Sequence, residues 1–215
     1  MDIFEYIAVA FPAIFVILNP FSALTSFLAL TTSKTEEQKH NIAKRACLTA
    51  FITLISFILF GHIIFKAFGI SMPAFRIAGG IIVFLIGLNM LQHKPLRMKQ
   101  TDEEMQESLT KTDVAIIPLG IPLMSGPGSI TTAMVLMMEA RNPFEIVGLI
   151  LSCAATCLIF YFILNNSTRF MKYLSLTGAG IMTRVMGLFL SVIAIQFIIN
   201  GIKELLPIFA KVLNS

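Results

Sequence analysis

Long apolar blocks separated by short polar runs dominate the chain. Tyr6–Ser33 contains no charged side chain, and Ala46–Phe65 follows after a polar loop. Met72–Leu91, Val114–Met138, Ile146–Thr168 and Ile181–Leu206 complete a set of six blocks. Each is long enough to cross about 30 Å of hydrocarbon at about 1.5 Å per residue. Backbone polar groups in lipid need partners within the segment, so the blocks must be helices or strands of a closed barrel. Barrel strands would alternate polar and apolar residues over about ten positions. The blocks here are continuously apolar, which predicts an all-α polytopic membrane protein with six transmembrane helices.

Composition sharpens this reading. Of 215 residues, 56% are hydrophobic and only 13% charged, against about 25% charged in a soluble domain. Asp2 and Glu5 replace the basic start of a cleavable signal, so the first helix is expected to remain in the mature protein. The net charge of +4 has no clustered basic face with interleaved aromatics, which excludes nucleic acid as a partner. Cys47, Cys153 and Cys157 lie within apolar blocks and read as small packing residues. Sixteen Lys and Arg residues divide unequally between the two sides: eleven follow blocks one, three and five, and five lie opposite. By the positive-inside rule both termini are outside and the charge-rich segment Gln92–Asp113 is cytoplasmic.

The two halves resemble each other. Asn19-Pro20-Phe21-Ser22-Ala23-Leu24-Thr25 in the first block and Gly126-Pro127-Gly128-Ser129-Ile130-Thr131-Thr132 in the fourth share the pattern x-Pro-x-Ser-x-x-Thr. Arg76-Ile77-Ala78-Gly79 in the third block matches Arg184-Val185-Met186-Gly187 in the sixth. Three crossings per copy place the second copy upside down, which is the inverted repeat of many secondary transporters. The expected organisation is a first three-helix repeat over 1–92, a cytoplasmic linker over 93–112 and a second three-helix repeat over 113–215.

Pro20 and Pro127 interrupt their blocks, because proline lacks a backbone donor and clashes with the preceding turn. Gly126 and Gly128 loosen the second interruption further. Helices one and four are therefore predicted to be broken, near Asn19–Pro20 and near Ser125–Ser129. Such breaks expose N–H groups on one half-helix and carbonyls on the other, which suit carboxylates and cations. Equivalent breaks in two halves point to a solute site. Its expected lining is Asn19, Pro20, Ser22, Thr25, Ser125, Gly126, Pro127, Gly128, Ser129 and Thr132. A zwitterionic amino acid fits that set of donors and acceptors.

Arg76 and Arg184 head the third and sixth blocks and form an expected pair of gates, one for each side. Gly79, Gly80, Gly87, Gly187 and Ser191 predict close helix contact. No Asp or Glu falls in mid-block, so coupling to a proton or sodium would use a boundary acid or carbonyls at the breaks. The motifs of metal sites, phosphate loops and nucleophile elbows are absent from the sequence. The sequence predicts no enzyme, no metal and no cofactor.

Phe75-Arg76-Ile77-Ala78-Gly79-Gly80, Ile121-Pro122-Leu123-Met124-Ser125-Gly126-Pro127-Gly128, Arg184-Val185-Met186-Gly187 and Phe197-Ile198-Ile199-Asn200-Gly201-Ile202 resemble the MarC family of bacterial inner-membrane proteins. The resemblance implies six spans, an inner-membrane location and, for some members, transport of small neutral amino acids such as glycine and alanine. The expected function is a secondary transporter of that class, working by alternating access with a small-molecule substrate and the lipid bilayer as partners. A channel or exporter for another small solute, and a non-transporting membrane scaffold, are the competing expectations.

Overall fold

A computed structural model describes residues 3–92 and 124–213. The described residues form seven helices and no strand: α1 (Ile3–Leu18), α2 (Pro20–Leu30), α3 (Glu36–Phe68), α4 (Met72–Leu91), α5 (Pro127–Glu139), α6 (Pro143–Asn165) and α7 (Ser167–Leu213). The predicted linker 93–112 and the first part of the predicted fourth span lie outside the described residues. Five stretches among them are long and apolar enough to cross a membrane: α1 and α2 together, α3, α4, α6 and α7.

Local sequence explains the boundaries. Thr35 and Gln38 form a reciprocal capping box that starts α3 at Glu36, so the residues expected as a polar loop before Ala46 are helical instead. At 33 residues and about 1.5 Å per residue, α3 exceeds the hydrocarbon thickness, and its polar first turns extend beyond it. Gly69 ends α3 in the left-handed conformation at φ 63°, which glycine adopts without steric cost. Pro73 and Pro143 sit in the first turns of α4 and α6, where a missing N–H costs nothing. The sixth predicted span lies within α7, which begins earlier, at Ser167, and turns sharply at Ser175 (φ 57°, ψ 165°). The Ser175 hydroxyl accepts a hydrogen bond from Gly178 N at 3.2 Å and so caps the continuation.

Side-chain contacts define two ends of the bundle. At one end Tyr6 donates to the carbonyl of Leu136 at 2.7 Å, and Phe65 packs on Phe75 with ring centroids 4.6 Å apart. Gly148 of α6 faces Ile3 and Ile7 of α1 there, and Arg76 meets Glu204. At the other end His40 Nδ1 lies 2.7 Å from Asn165 Oδ1, joining the start of α3 to the end of α6. The first set gathers the starts of α1, α4 and α6 with the ends of α3, α5 and α7.

The closest helix pair is α4 with α7, packed antiparallel. Gly80 faces the Ala194 carbonyl and Ile198, Gly87 faces Gly187 and Ser191, and Gly201 faces Pro73 and Arg76. A Cβ on Gly87 would stand 2.9 Å from the Gly187 carbonyl oxygen. Glycine is required at such points because backbone meets backbone. Of the small residues read from the sequence as contact points, Gly80, Gly87, Gly187 and Ser191 thus hold the third and sixth blocks together. Elsewhere Phe27, Phe160, Ile14 and Leu54 fill a common core, while Leu59, Phe60 and Ile63 of α3 and Leu188, Phe189 and Val192 of α7 face outward. Apolar residues inside and outside together are what a lipid environment requires.

Candidate functional site

Asn19 divides α1 from α2 at φ 51°, ψ 82°. Asparagine tolerates this left-handed conformation because its short side chain bonds locally; here Oδ1 accepts from Ser22 N at 3.3 Å. Pro20 then opens α2 in the first position, where proline is favoured. Backbone bonds bracket the break, from Asn19 N to the Phe15 carbonyl and from Ala23 N to the Asn19 carbonyl. Pro20 has no N–H to offer the carbonyl of Val16, and none of the bonds crossing the break reaches the carbonyls of Ile17 or Leu18. Three carbonyls therefore end α1 within an apolar setting.

The second break is at Ser125–Gly126. Gly126 is extended (φ −70°, ψ 178°) and Pro127 opens α5. Gly126 has no side chain to cap the helix, so the N–H groups of Gly128 and Ser129 receive no side-chain cap. They form the positive end of α5. Ser129 Oγ donates to the Met124 carbonyl at 2.9 Å, which stitches the residue before the break to the helix after it.

The breaks are neighbours in space. Ile17, at the end of α1, lies against Gly128, and Ile86 of α4 crowds the same face of that glycine. A Cβ on Gly128 would stand 3.1 Å from Ile17 Cδ1. Gly79 of α4 meets the Thr131 side chain one turn further along α5. Asn19, Ser125, Gly128, Ser129 and Thr132 are buried; Gly126 is half-buried and Pro127 exposed. Thr132 is 0% exposed and its hydroxyl has no hydrogen-bond partner, an uncommon condition for a buried polar group. Ser22 and Thr25 are placed differently. They belong to α2, which packs chiefly on α7 and then on α6, and the Thr25 hydroxyl donates to the Ser22 carbonyl at 2.9 Å.

The two arginines are not equivalent. Arg76 is buried at 7% exposure, with Nη1 2.6 Å from Glu204 Oε1 and Nη2 3.9 Å from Glu139 Oε1. Arg184 is exposed on α7, with no hydrogen bond or ion pair to a described residue. The gathering of Glu139, Glu204 and Asn200 around Arg76 is not legible in the sequence, because it depends on helices 60 or more residues apart in the chain. Among the described residues no group of three His, Cys, Asp or Glu side chains could hold a metal ion.

A bundle of long apolar helices, with two helix breaks close together in space, defines a polytopic α-helical membrane protein. The family profile described as "MarC family integral membrane protein" matches residues 4–206, and the chain belongs to that family. It is 38% identical to a UPF0056 membrane protein of Pyrococcus abyssi over 94% of this chain and 97% of the relative. A UPF0056 membrane protein of Methanocaldococcus jannaschii is 39% identical over 94% and 98% of the two chains. UPF0056 membrane protein YhcE of Escherichia coli is 31% identical over 92% of each. The family thus extends from bacteria to archaea, beyond the bacterial range that the motif resemblance implied. No solved structure matches the chain.

Proposed function

We propose that the protein is a secondary transporter of small neutral amino acids, of glycine or alanine size, with its solute site where the two helix breaks meet. The observation that carries the reading is the contact of Ile17 with Gly128. It supports a site between the carbonyls that end α1, which accept no backbone bond across the break among the described residues, and the N–H groups that begin α5, which the Gly126 N-cap leaves without a side-chain cap. A zwitterion matches both: carboxylate at the Gly128 and Ser129 N–H groups, ammonium at the Ile17 and Leu18 carbonyls, with the Thr132 hydroxyl as a further partner. Ile17 and Ile86 crowd Gly128, which favours a solute with little or no side chain.

The paired breaks and the matched motifs of the two halves support two inverted three-helix repeats working by alternating access. The distribution of Lys and Arg supports an orientation with both termini outside. Lys34, Lys39, Lys44 and Arg45 belong to the end marked by His40 and Asn165, whereas Lys66 and Arg141 belong to the end marked by Tyr6.

Thermal unfolding of the purified protein tests the site without assuming an ion gradient. A ligand at about 100 times its Kd stabilises by about 2.7 kcal/mol. Glycine or alanine should raise the Tm in a saturable manner, and Gly126→Leu should abolish the rise. A Tm indifferent to every small zwitterion contradicts the proposed substrate class.

A further inference from the structure

We infer that Arg76, Glu204 and Glu139 form the gate that closes the solute site toward the Tyr6 end of the bundle, and that α5 is its moving arm. The inference rests on the transport reading above. A guanidinium buried in a membrane protein is costly unless paired, and Arg76 is paired from two helices. Glu204 of α7 makes the short contact at 2.6 Å, and Glu139 at the end of α5 makes the long one at 3.9 Å.

The two halves of this cluster differ in firmness. The α4–α7 side is fixed, because Gly201 lets the backbone of α7 approach Pro73 O and the Cβ of Arg76. The α5 side is loose. Glu139 is held by the long ion pair and by Asn200 Nδ2 donating at 3.3 Å, and Asn200 is itself steadied by Gln196 at 2.8 Å. A carboxylate at a helix C-terminus is opposed by the helix dipole, so Glu139 depends on Arg76 for its place. Arg76 Nε is buried without a partner. A donor left over beside a loosely held carboxylate allows a second arrangement of the same groups. Glu145 is not available for it, since it accepts from Arg141 N at 2.6 Å and from Asn142 Nδ2 at 3.2 Å.

One short helix connects gate and site. The 13 residues of α5 run from Pro127 at the break to Glu139 at the cluster, a rigid arm of about 20 Å at about 1.5 Å per residue. A solute bound to the N–H groups at its start acts directly on the element whose end holds the loose half of the gate. Arg184 has no such cluster among the described residues, so the ion pairs described at the Arg76 end are the latch of this conformation.

The test is the reactivity of a cysteine at Ser129, with Cys47, Cys153 and Cys157 replaced by alanine or serine, toward a membrane-impermeant thiol reagent applied to either side of sealed vesicles. Glu204→Gln and Arg76→Gln should each raise the labelling rate about tenfold or more from the Tyr6 side alone, the effect of about 1.4 kcal/mol on the open–closed balance. Arg76→Lys, which keeps the charge but loses the two-pronged geometry, should raise it less than Arg76→Gln. Unchanged labelling, or a rise equal from both sides (a loosening of the whole bundle), overturns the gate. Labelling that responds as stated in a protein that moves neither glycine nor alanine leaves the gate standing and removes the substrate. Transport with unresponsive labelling removes the gate alone.

Discussion

Ile17 at the end of α1 lies against Gly128 in the first turn of α5. Residues 111 positions apart thereby bring the end of one half-helix against the start of another. Gly128→Val should disturb this contact, since its Cβ would stand 3.1 Å from Ile17 Cδ1 and 2.5 Å from Ile86 Cδ1. Overpacking of this kind costs about 1–3 kcal/mol. Solute uptake should fall more steeply than the Tm, which uptake and thermal unfolding on one preparation would measure.

The left-handed turn at Asn19 makes a graded series possible. Asn19→Gly keeps the turn and loses the cap on Ser22 N, a change of a few tenths of a kcal/mol. Asn19→Leu also forces a γ-branched side chain that cannot bond locally into φ 51°, costing about 1–2 kcal/mol. Thermal stability should rank Asn, then Gly, then Leu. A leucine variant as stable as the natural residue contradicts the turn.

The glycines divide into two classes with different outcomes. Gly87→Ala drives a Cβ to 2.6 Å from Ser191 Oγ and 2.9 Å from the Gly187 carbonyl oxygen, so α4 and α7 must separate. Gly69→Ala meets open space and only the strain of φ 63°, about 1–2 kcal/mol. The first should cut the yield of folded protein in detergent and the second should barely change it, as size-exclusion profiles would register.

The proposed orientation is open to chemical mapping. Ser33 and Ser71 are exposed in the turns after α2 and before α4, and the three native cysteines are buried. A cysteine at Ser71 should react with an impermeant thiol reagent in intact cells. One at Ser33 should react only after the membrane is opened. The reverse pattern places both termini inside.

Much of this architecture is legible in the chain because its signals are local. Pro20 and Pro127 each stand inside an apolar run, and both breaks fall where those prolines predict. Gly87 and Gly187 mark close approach for the same reason: only glycine lets backbones meet. The start of α3 is equally local, yet its polarity suggests a loop. Its charged residues mask the Thr35-x-x-Gln38 capping box, although Glu, Gln, Lys and Arg are good helix formers in water. The turn at Ser175 has no proline or glycine at its centre to announce it. The partners of Arg76 are the clearest limit of local reading: Glu204 is 128 residues away, and the sequence symmetry that matched Arg76 with Arg184 did not extend to burial.

The central claim, a carrier whose site is the meeting point of the two breaks, is tested most directly by uptake of labelled glycine and alanine into proteoliposomes under imposed proton or sodium gradients. The comparison is natural protein against the pair Asn19→Leu with Gly126→Leu. The account predicts gradient-driven accumulation by the natural protein and its loss in the folded double variant. Accumulation undiminished in a folded double variant would contradict it.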